Sequence, residues 1–382
     1  MNRTFSILVA AASLLAGCAS TSTSMAPSQL PWLDQDFHYE PALVAVTPKD
    51  LFKLDDELQR KLDDPAWRTA PLGQRLKRLM GLIFGTDGKG FAYRAGHSTV
   101  ASETWRDRRG DCLSLTVLTY SVARTLGMSA LMQEVETPAI YGRAGELDEA
   151  NQHVNVLLPH LRSDLMVESM AHDVVLDFEP DFQAPRRGTA LTEGGIVARY
   201  YNNVAVENMA RGDNPRAYAY FKAAIASEPG YISPYGNLAV LYRRIGHEKE
   251  AEALLRHAVS LGGSSDVALH ELHRLLAEQG RSAEAQEVAR QLEARQFSDP
   301  YHWISLGLKD LIDNEPRRAI GHLERARDIA PTFAEVHRYL AIAYARTGNT
   351  LKAHEEVDLM ASAGGPMNKV ALLRRKLEKL EH

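Results

Sequence analysis

The chain has 382 residues, 45% of them hydrophobic and 24% charged, and a formal net charge of −5 at pH 7. That length exceeds what a single hydrophobic core fills, so two domains are expected. The composition is that of a globular rather than a disordered chain, and charges of both signs are interspersed, leaving no basic footprint for a nucleic-acid partner.

At the N-terminus Arg3 supplies a positive start and residues 5–15 an apolar run too short to cross a bilayer as a helix, the pattern of a targeting segment over residues 1–17. It ends Leu15-Ala16-Gly17-Cys18, which resembles the lipobox of bacterial lipoproteins. The resemblance implies cleavage before Cys18, lipid on that cysteine, and attachment to a membrane of the cell envelope. Ala19 stands where an aspartate would imply retention at the inner membrane, which points to the outer membrane and a chain facing the periplasm. A secretory signal cut at small residues is the alternative, and it also exports the chain. Residues 18–35, with their Ser/Thr-rich start, have little apolar surface to bury and read as a flexible tether.

A first domain is expected over residues 36–190. Thr47-Pro48-Lys49-Asp50 carries a cap, a proline in the first turn and an early acid, and predicts a helix to about Leu62 with Leu51, Leu54, Leu58 and Leu62 on its buried face. A second amphipathic helix is expected from Pro71 to Phe84, stopped by the glycine cluster at 85–90. No Gly-Lys-Ser/Thr sequence opens a helix there, so it is not a phosphate loop. A short helix is expected over 98–105. Next comes Arg108-Arg109-Gly110-Asp111-Cys112, running into a segment to Leu126 that is apolar on nearly every side and closed by Gly127: a central buried helix.

Cys112 therefore stands at the first turn of that helix, where backbone N–H groups and the positive end of the helix dipole favour a thiolate. The local pattern also allows a small core residue. With lipid on Cys18, the only other cysteine, no disulfide partner remains for Cys112 in an oxidising compartment, which marks it as reactive. Strands are expected over 129–136, 153–158, 164–169 and 173–178, forming an antiparallel meander and an α+β domain. A thiolate nucleophile needs an imidazole to carry its proton and a polar group to fix that imidazole; His153 and Asp177 are the candidates.

From about Leu79 to Pro180 the chain resembles the transglutaminase-like superfamily of papain-like cysteine enzymes. The resemblance is carried by Trp105-Arg-Asp-Arg-Arg-Gly-Asp-Cys112 and its helix, by Gln152-His153-Val154-Asn155-Val156, and by Val174-Val-Leu-Asp-Phe-Glu-Pro180. It implies Cys112 as nucleophile, His153 as general base and Asp177 as orienting acid, acting on amide bonds by hydrolysis or acyl transfer, with no cofactor. Two departures are the long interval from His153 to Asp177 and the Phe-Glu inserted before Pro180, and they keep Asp173 as a competitor for the third place. His97, His160 and His172 read as solvated. No close Cys/His pairing favours a metal site. Glu134 and Glu136 read as a solvated strand edge, Gln133 as a polar group lining the cleft, and the backbone N–H of Cys112 as an oxyanion donor.

After the polar, glycine-bearing linker 185–195 the chain is alanine- and leucine-rich helix over 196–382, with a period of 34 residues and repeats starting at 198, 232, 266, 300 and 334. One column holds Ala217, Ala251, Ala285, Ala319 and Ala353. A turn column holds Gly212, Gly246, Gly280, Asn314 and Gly348, residues that tolerate positive φ. A large-residue column holds Tyr201, Tyr235, Leu269, Trp303 and His337, and prolines at 229 and 331 break the helices. This resembles the tetratricopeptide repeat family. The third repeat diverges at His273 and Phe297. A last helix over 368–380, with Val370, Leu373, Leu377 and Leu380 inward, reads as a cap.

By that resemblance the first helix of each repeat lines a groove. The groove positions include Asn202, Arg243, Arg244, His270, Arg274, Arg338 and Arg346, a basic run suited either to an acidic peptide or to simple solvation. The expected architecture is thus an α+β transglutaminase-like (papain-like) domain followed by an all-α tetratricopeptide-repeat solenoid. Its expected partners are a protein or peptide in the groove and the membrane through Cys18. A non-catalytic scaffold or adaptor is the competing reading, and an amine in place of water as acceptor a third.

Overall fold

The computed structural model describes residues 29–85, 90–94, 96–135, 153–161, 172–178, 188–262, 266–365 and 367–380. Cys18, Glu136 and the strand expected at 164–169 lie outside them.

The helix expected at 47–62 is two helices, α1 (Pro48–Phe52) and α2 (Asp56–Asp63). Each brings its own cap: Thr47 and Asp50 form a reciprocal capping box, and the Asp55 carboxylate accepts from the Glu57 N–H. An internal aspartate that competes for backbone donors ends one helix and starts the next. A turn of helix, α3 (Pro65–Arg68), precedes α4 (Leu72–Phe84), and the short helix before the cysteine is α5 (Ala101–Asp107). Strands β1 (Ala92–Tyr93) and β2 (Arg109–Gly110) pair in parallel beside it.

Helix α6 (Cys112–Thr125) is the buried helix the sequence predicts, with every residue from Leu113 to Ala123 inside the protein. Gly127 ends it at φ 67°, and Arg75 of α4 donates to the carbonyls of Leu126 and Gly127 at 2.7 and 3.1 Å, closing its C-terminus. The helix packs on a four-stranded antiparallel sheet of β3 (Leu131–Val135), β4 (His153–Leu161), β5 (His172–Leu176) and β6 (Thr189–Leu191), in the order β5-β4-β3-β6. Strand β6 falls in the stretch expected as linker. It is three residues long, too short to show an alternating pattern, and it pairs with β3 through Met132 and Leu191.

The remainder is paired helices: α7 (Glu193–Ala210), α8 (Asn214–Ser227), α9 (Ser233–Arg244), α10 (Glu248–Ser260), α11 (Asp266–Glu278), α12 (Ser282–Ser298), α13 (Pro300–Ile312), α14 (Pro316–Ile329), α15 (Ala334–Arg346) and α16 (Thr350–Ser362). The terminal helix is α17 (Met367–Glu378). The whole turn column has positive φ, Asn314 included at 60°. All five alanines and all five large residues of the other two columns are buried. In α17, Val370 and Leu377 are buried, but Leu380 is 61% exposed, because the helix stops two residues before it.

One hydrophobic core runs from Leu30 through the sheet domain into the first three repeats, as far as Leu292; a second core begins at Trp303 and holds the last two repeats and α17. The divergent third repeat is where the cores separate. Its second helix, α12, continues through Phe297, where a proline or glycine closes the other repeats, and leaves that ring 49% exposed. The segment expected as tether is packed from residue 29 onward. Leu30 and Phe37 are buried, Phe37 stacks on Tyr218 at 4.5 Å, and Asp34 accepts from Tyr218 Oη at 2.7 Å and from Lys222 Nζ at 2.6 Å. The aromatic surface of α8 and α9 supplies the burial that residues 29–37 could not supply alone. Among the described residues no helix is long and apolar enough to cross a membrane.

Candidate functional site

Cys112 is the first residue of α6 and is half-buried. Its turn is built tightly. Asp111 caps the helix, its Oδ1 accepting from the Ser114 N–H at 2.7 Å and from Ser114 Oγ at 2.6 Å. Arg108 takes a left-handed conformation at φ 53°, with its guanidinium over the rings of Phe91 at 3.9 Å and Trp105 at 4.8 Å. Gly110 admits no side chain, since a Cβ there would lie 2.8 Å from Ser114 Cβ and 3.2 Å from Thr104 Cγ2. Burial pushes the Asp111 carboxyl above the ordinary carboxylate range, opposed by hydrogen bonds from Ser114 and Ser98.

His153 opens β4 and is 4% exposed. Its Nε2 lies 2.5 Å from Asp177 Oδ1, and Asn155 Nδ2 donates to Asp177 Oδ2 at 2.9 Å. Register explains the meeting. Val156 pairs with Leu176 across β4 and β5, so the next pair outward is Asn155 with Asp177. Gln133 faces Asn155 and Val135 faces His153 across β3 and β4. Because side chains alternate, His153, Asn155, Gln133 and Asp177 share one face of the sheet. Leu161 and His172 pair at the opposite end of these two strands from His153 and Asp177.

Of the two competing acids, Asp177 is the one that meets His153. Val174 pairs with Leu158 and His172 with Leu161, which places Asp173 in the irregular stretch between those pairs, roughly 20 Å along the strand from His153. Asn155 is a member that sequence reasoning passed over. Its position two residues after His153 was the available signal.

Helix and sheet are brought together by Thr116, whose Oγ1 donates to the carbonyl of Val154 at 3.2 Å. Thr116 is one helical turn from Cys112 on the same face of α6, and Val154 adjoins His153, so the cysteine end of α6 stands at the histidine end of β4. Gln133 is 2% exposed.

Glu134 departs from its expectation as a solvated edge. Arg199 of α7 holds it in a fork, Nε to Oε1 at 3.0 Å and Nη2 to Oε2 at 2.8 Å, while Nη1 reaches Glu228 at 2.7 Å. His97 is likewise engaged, with Nδ1 3.1 Å from Glu207 of α7. Among the described residues, no group of three or more His, Cys, Asp and Glu side chains is placed to hold a metal ion.

A family model described as tetratricopeptide repeat matches residues 208–262, from the end of α7 through α10. Those residues carry tetratricopeptide repeats, and the buried alanine column and positive-φ turn column run on through α16. Comparison with curated proteins gives no match. Among solved structures, one from a functional characterisation of Pseudomonas aeruginosa PilF is 20% identical, covering 50% of this chain and 86% of that one, with a TM-score of 0.27. YrrB, described as a TPR protein with an unusual peptide-binding site, is 17% identical over 47% of this chain and 92% of its own, with a TM-score of 0.25. MamA from Desulfovibrio magneticus RS-1 is 20% identical over 47% and 96%, with a TM-score of 0.24.

Within the tetratricopeptide repeats, the expected basic run is in part neutralised by its own chain. Arg243 pairs with Glu271 at 2.9 Å and with Glu278 at 2.5 Å, and Arg274 pairs with the same Glu271 at 2.7 Å. Arg338 lies over the Tyr339 ring at 5.2 Å, and Arg346 donates to the carbonyl of Leu311 at 2.6 Å. Asn202 accepts from Asn237 Nδ2 at 3.0 Å, linking α7 to α9. An acidic peptide would compete with Glu271 and Glu278 for Arg243.

Proposed function

We propose that the first domain is a transglutaminase-like cysteine enzyme acting on amide bonds, and that the repeat domain binds a protein partner. The observation that carries the reading is the buried His153–Asp177 pair beside the start of the cysteine helix. With Asp177 ionised and accepting from Nε2–H, Nδ1 of neutral His153 keeps its lone pair and is the nitrogen that takes the thiol proton. Asn155 fixes the carboxylate that fixes the imidazole.

Cys112 Sγ attacks the amide carbonyl; the C–N bond breaks as the new S–C bond persists, and His153 passes its proton to the leaving amine. Water or a second amine then attacks the thioester and returns the thiol. The backbone N–H of Cys112, at the first turn of α6, is the donor proposed for the oxyanion.

An activated acyl donor such as p-nitrophenyl acetate tests this. One acyl group per chain on Cys112, removable by hydroxylamine and reduced at least tenfold in His153→Ala, is the expected result. Acylation at the rate of a small-molecule thiol, unchanged in His153→Ala, would favour the scaffold reading, which the repeats by themselves support equally well.

The same proposal places the protein in the envelope, anchored by lipid on Cys18 with its domains in the periplasm. It rests on the Leu-Ala-Gly-Cys sequence. Membrane fractionation of the wild type against Cys18→Ser tests it, and equal release of both into the soluble fraction would overturn it.

A further inference from the structure

The acid that caps the cysteine helix is linked through one serine to the first repeat helix. Asp111 is 6% exposed, and its Oδ2 accepts from Ser98 Oγ at 2.5 Å. A hydroxyl has one hydrogen, so Ser98, having given it to Asp111, can only accept from its other neighbour. That neighbour is Asn203 of α7, whose Nδ2 donates to Ser98 Oγ at 2.9 Å. One turn further along α7, Glu207 Oε1 accepts the Ser98 N–H at 3.1 Å, while its Oε2 faces His97 Nδ1 at 3.1 Å and Arg211 Nη2 at 2.8 Å. The Thr99 N–H donates to Ser114 Oγ at 2.8 Å, so residues 97–99 are clamped between α7 and α6. Every link of this chain is directional, and Ser98, Thr99, Asp111 and Ser114 are all buried.

We propose that Asn203 and Glu207, on the first repeat helix, are positioning residues for Cys112: they orient Ser98, which holds Asp111 and with it the first turn of α6. The inference rests on Cys112 being the nucleophile. Its physical basis is proximity. Asp111 is the residue before the thiol, and any change in the charge or placement of its carboxylate alters the field in which the thiolate forms. The repeat domain is then part of the reactive site as well as a recruiting arm, consistent with the continuous core that joins the two.

The test is the pH dependence of iodoacetamide alkylation of Cys112 in the full chain, followed by mass spectrometry of the Cys112 peptide. Asn203→Asp keeps the side-chain size but sets two carboxylates against one hydroxyl hydrogen. The thiol titration should move up by about one unit, slowing alkylation roughly tenfold on the acid side of it. Asn203→Leu and Ser98→Ala should each slow it about threefold, and their combination no more than the slower of the two, because both break one chain. A thermal melt accompanies each variant, and Asn203→Asp stands in where Asn203→Leu does not fold. Variants that titrate with the wild type, or single effects that multiply in the double, would overturn the proposal wherever the wild type itself titrates. A wild-type thiol titrating at or above the ordinary value near 8.5 would instead count against the nucleophile.

Discussion

Asp177 and Asp173 are four positions apart and nearly equivalent as sequence, and it is Asp177 that meets His153. Replacing Asp177 by Asn keeps the shape and removes the charge that stabilises an imidazolium. The rate of Cys112 acylation should fall at least tenfold, while Asp173→Asn should leave it within twofold; equal losses would remove the distinction. The cysteine at the start of α6 and the His153–Asp177 meeting were legible because residue type and local sequence mark a helix start and two strand ends. Asn155, Ser98 and Asn203 were not, because their roles come from strand register and from contacts across more than 100 residues of chain. Another buried histidine, His337, gives a pH prediction. His337 Nδ1 lies 2.6 Å from Glu356 Oε2 and its Nε2 lies 2.8 Å from the carbonyl of Pro331, and the Glu356 hydrogen bond raises its pKa above 6.5. A raised folded-state pKa means stability that is fully present below 6.5 and lost as pH rises through the folded value. The unfolding midpoint of the last repeats should therefore fall with rising pH above 6.5, and His337→Gln should flatten that slope.

At the scale of elements, long periodic segments and repeat columns were readable, and short elements and breaks were not. The 47–62 helix divides because Asp55 caps a new start, and β6 is too short to announce itself. The repeats were legible because self-similarity multiplies a weak signal five times. The cysteine turn depends on Gly110 for space. Gly110→Ala should destabilise the domain by about 1–3 kcal/mol in urea unfolding, since Ser114 and Thr104 are both buried and engaged in hydrogen bonds and neither can move aside freely. A change of less than about 0.5 kcal/mol would show that the turn is looser than its contacts imply.

For the whole molecule, the domain boundary drawn from composition near residue 190 is not the boundary of the cores, which lies between Leu292 and Trp303. The linker composition was visible; the pairing of buried Arg199 with Glu134 and Glu228 and the docked residues 29–37 that join the halves were not, since each needs the fold to exist first. Calorimetry should resolve two transitions. Leu323→Ala, emptying the second core, should lower one of them with a cost of about 2–5 kcal/mol, and Leu118→Ala should lower the other. One transition that moves with both substitutions would contradict the division. Whether Cys112 is the activated nucleophile we propose, served by His153, is tested most directly by titrating its alkylation in the wild type and in His153→Ala. An apparent pKa clearly below 8.5 in the wild type that rises by at least one unit in the variant is expected; two coincident titrations near 8.5 would show that the thiol is not activated.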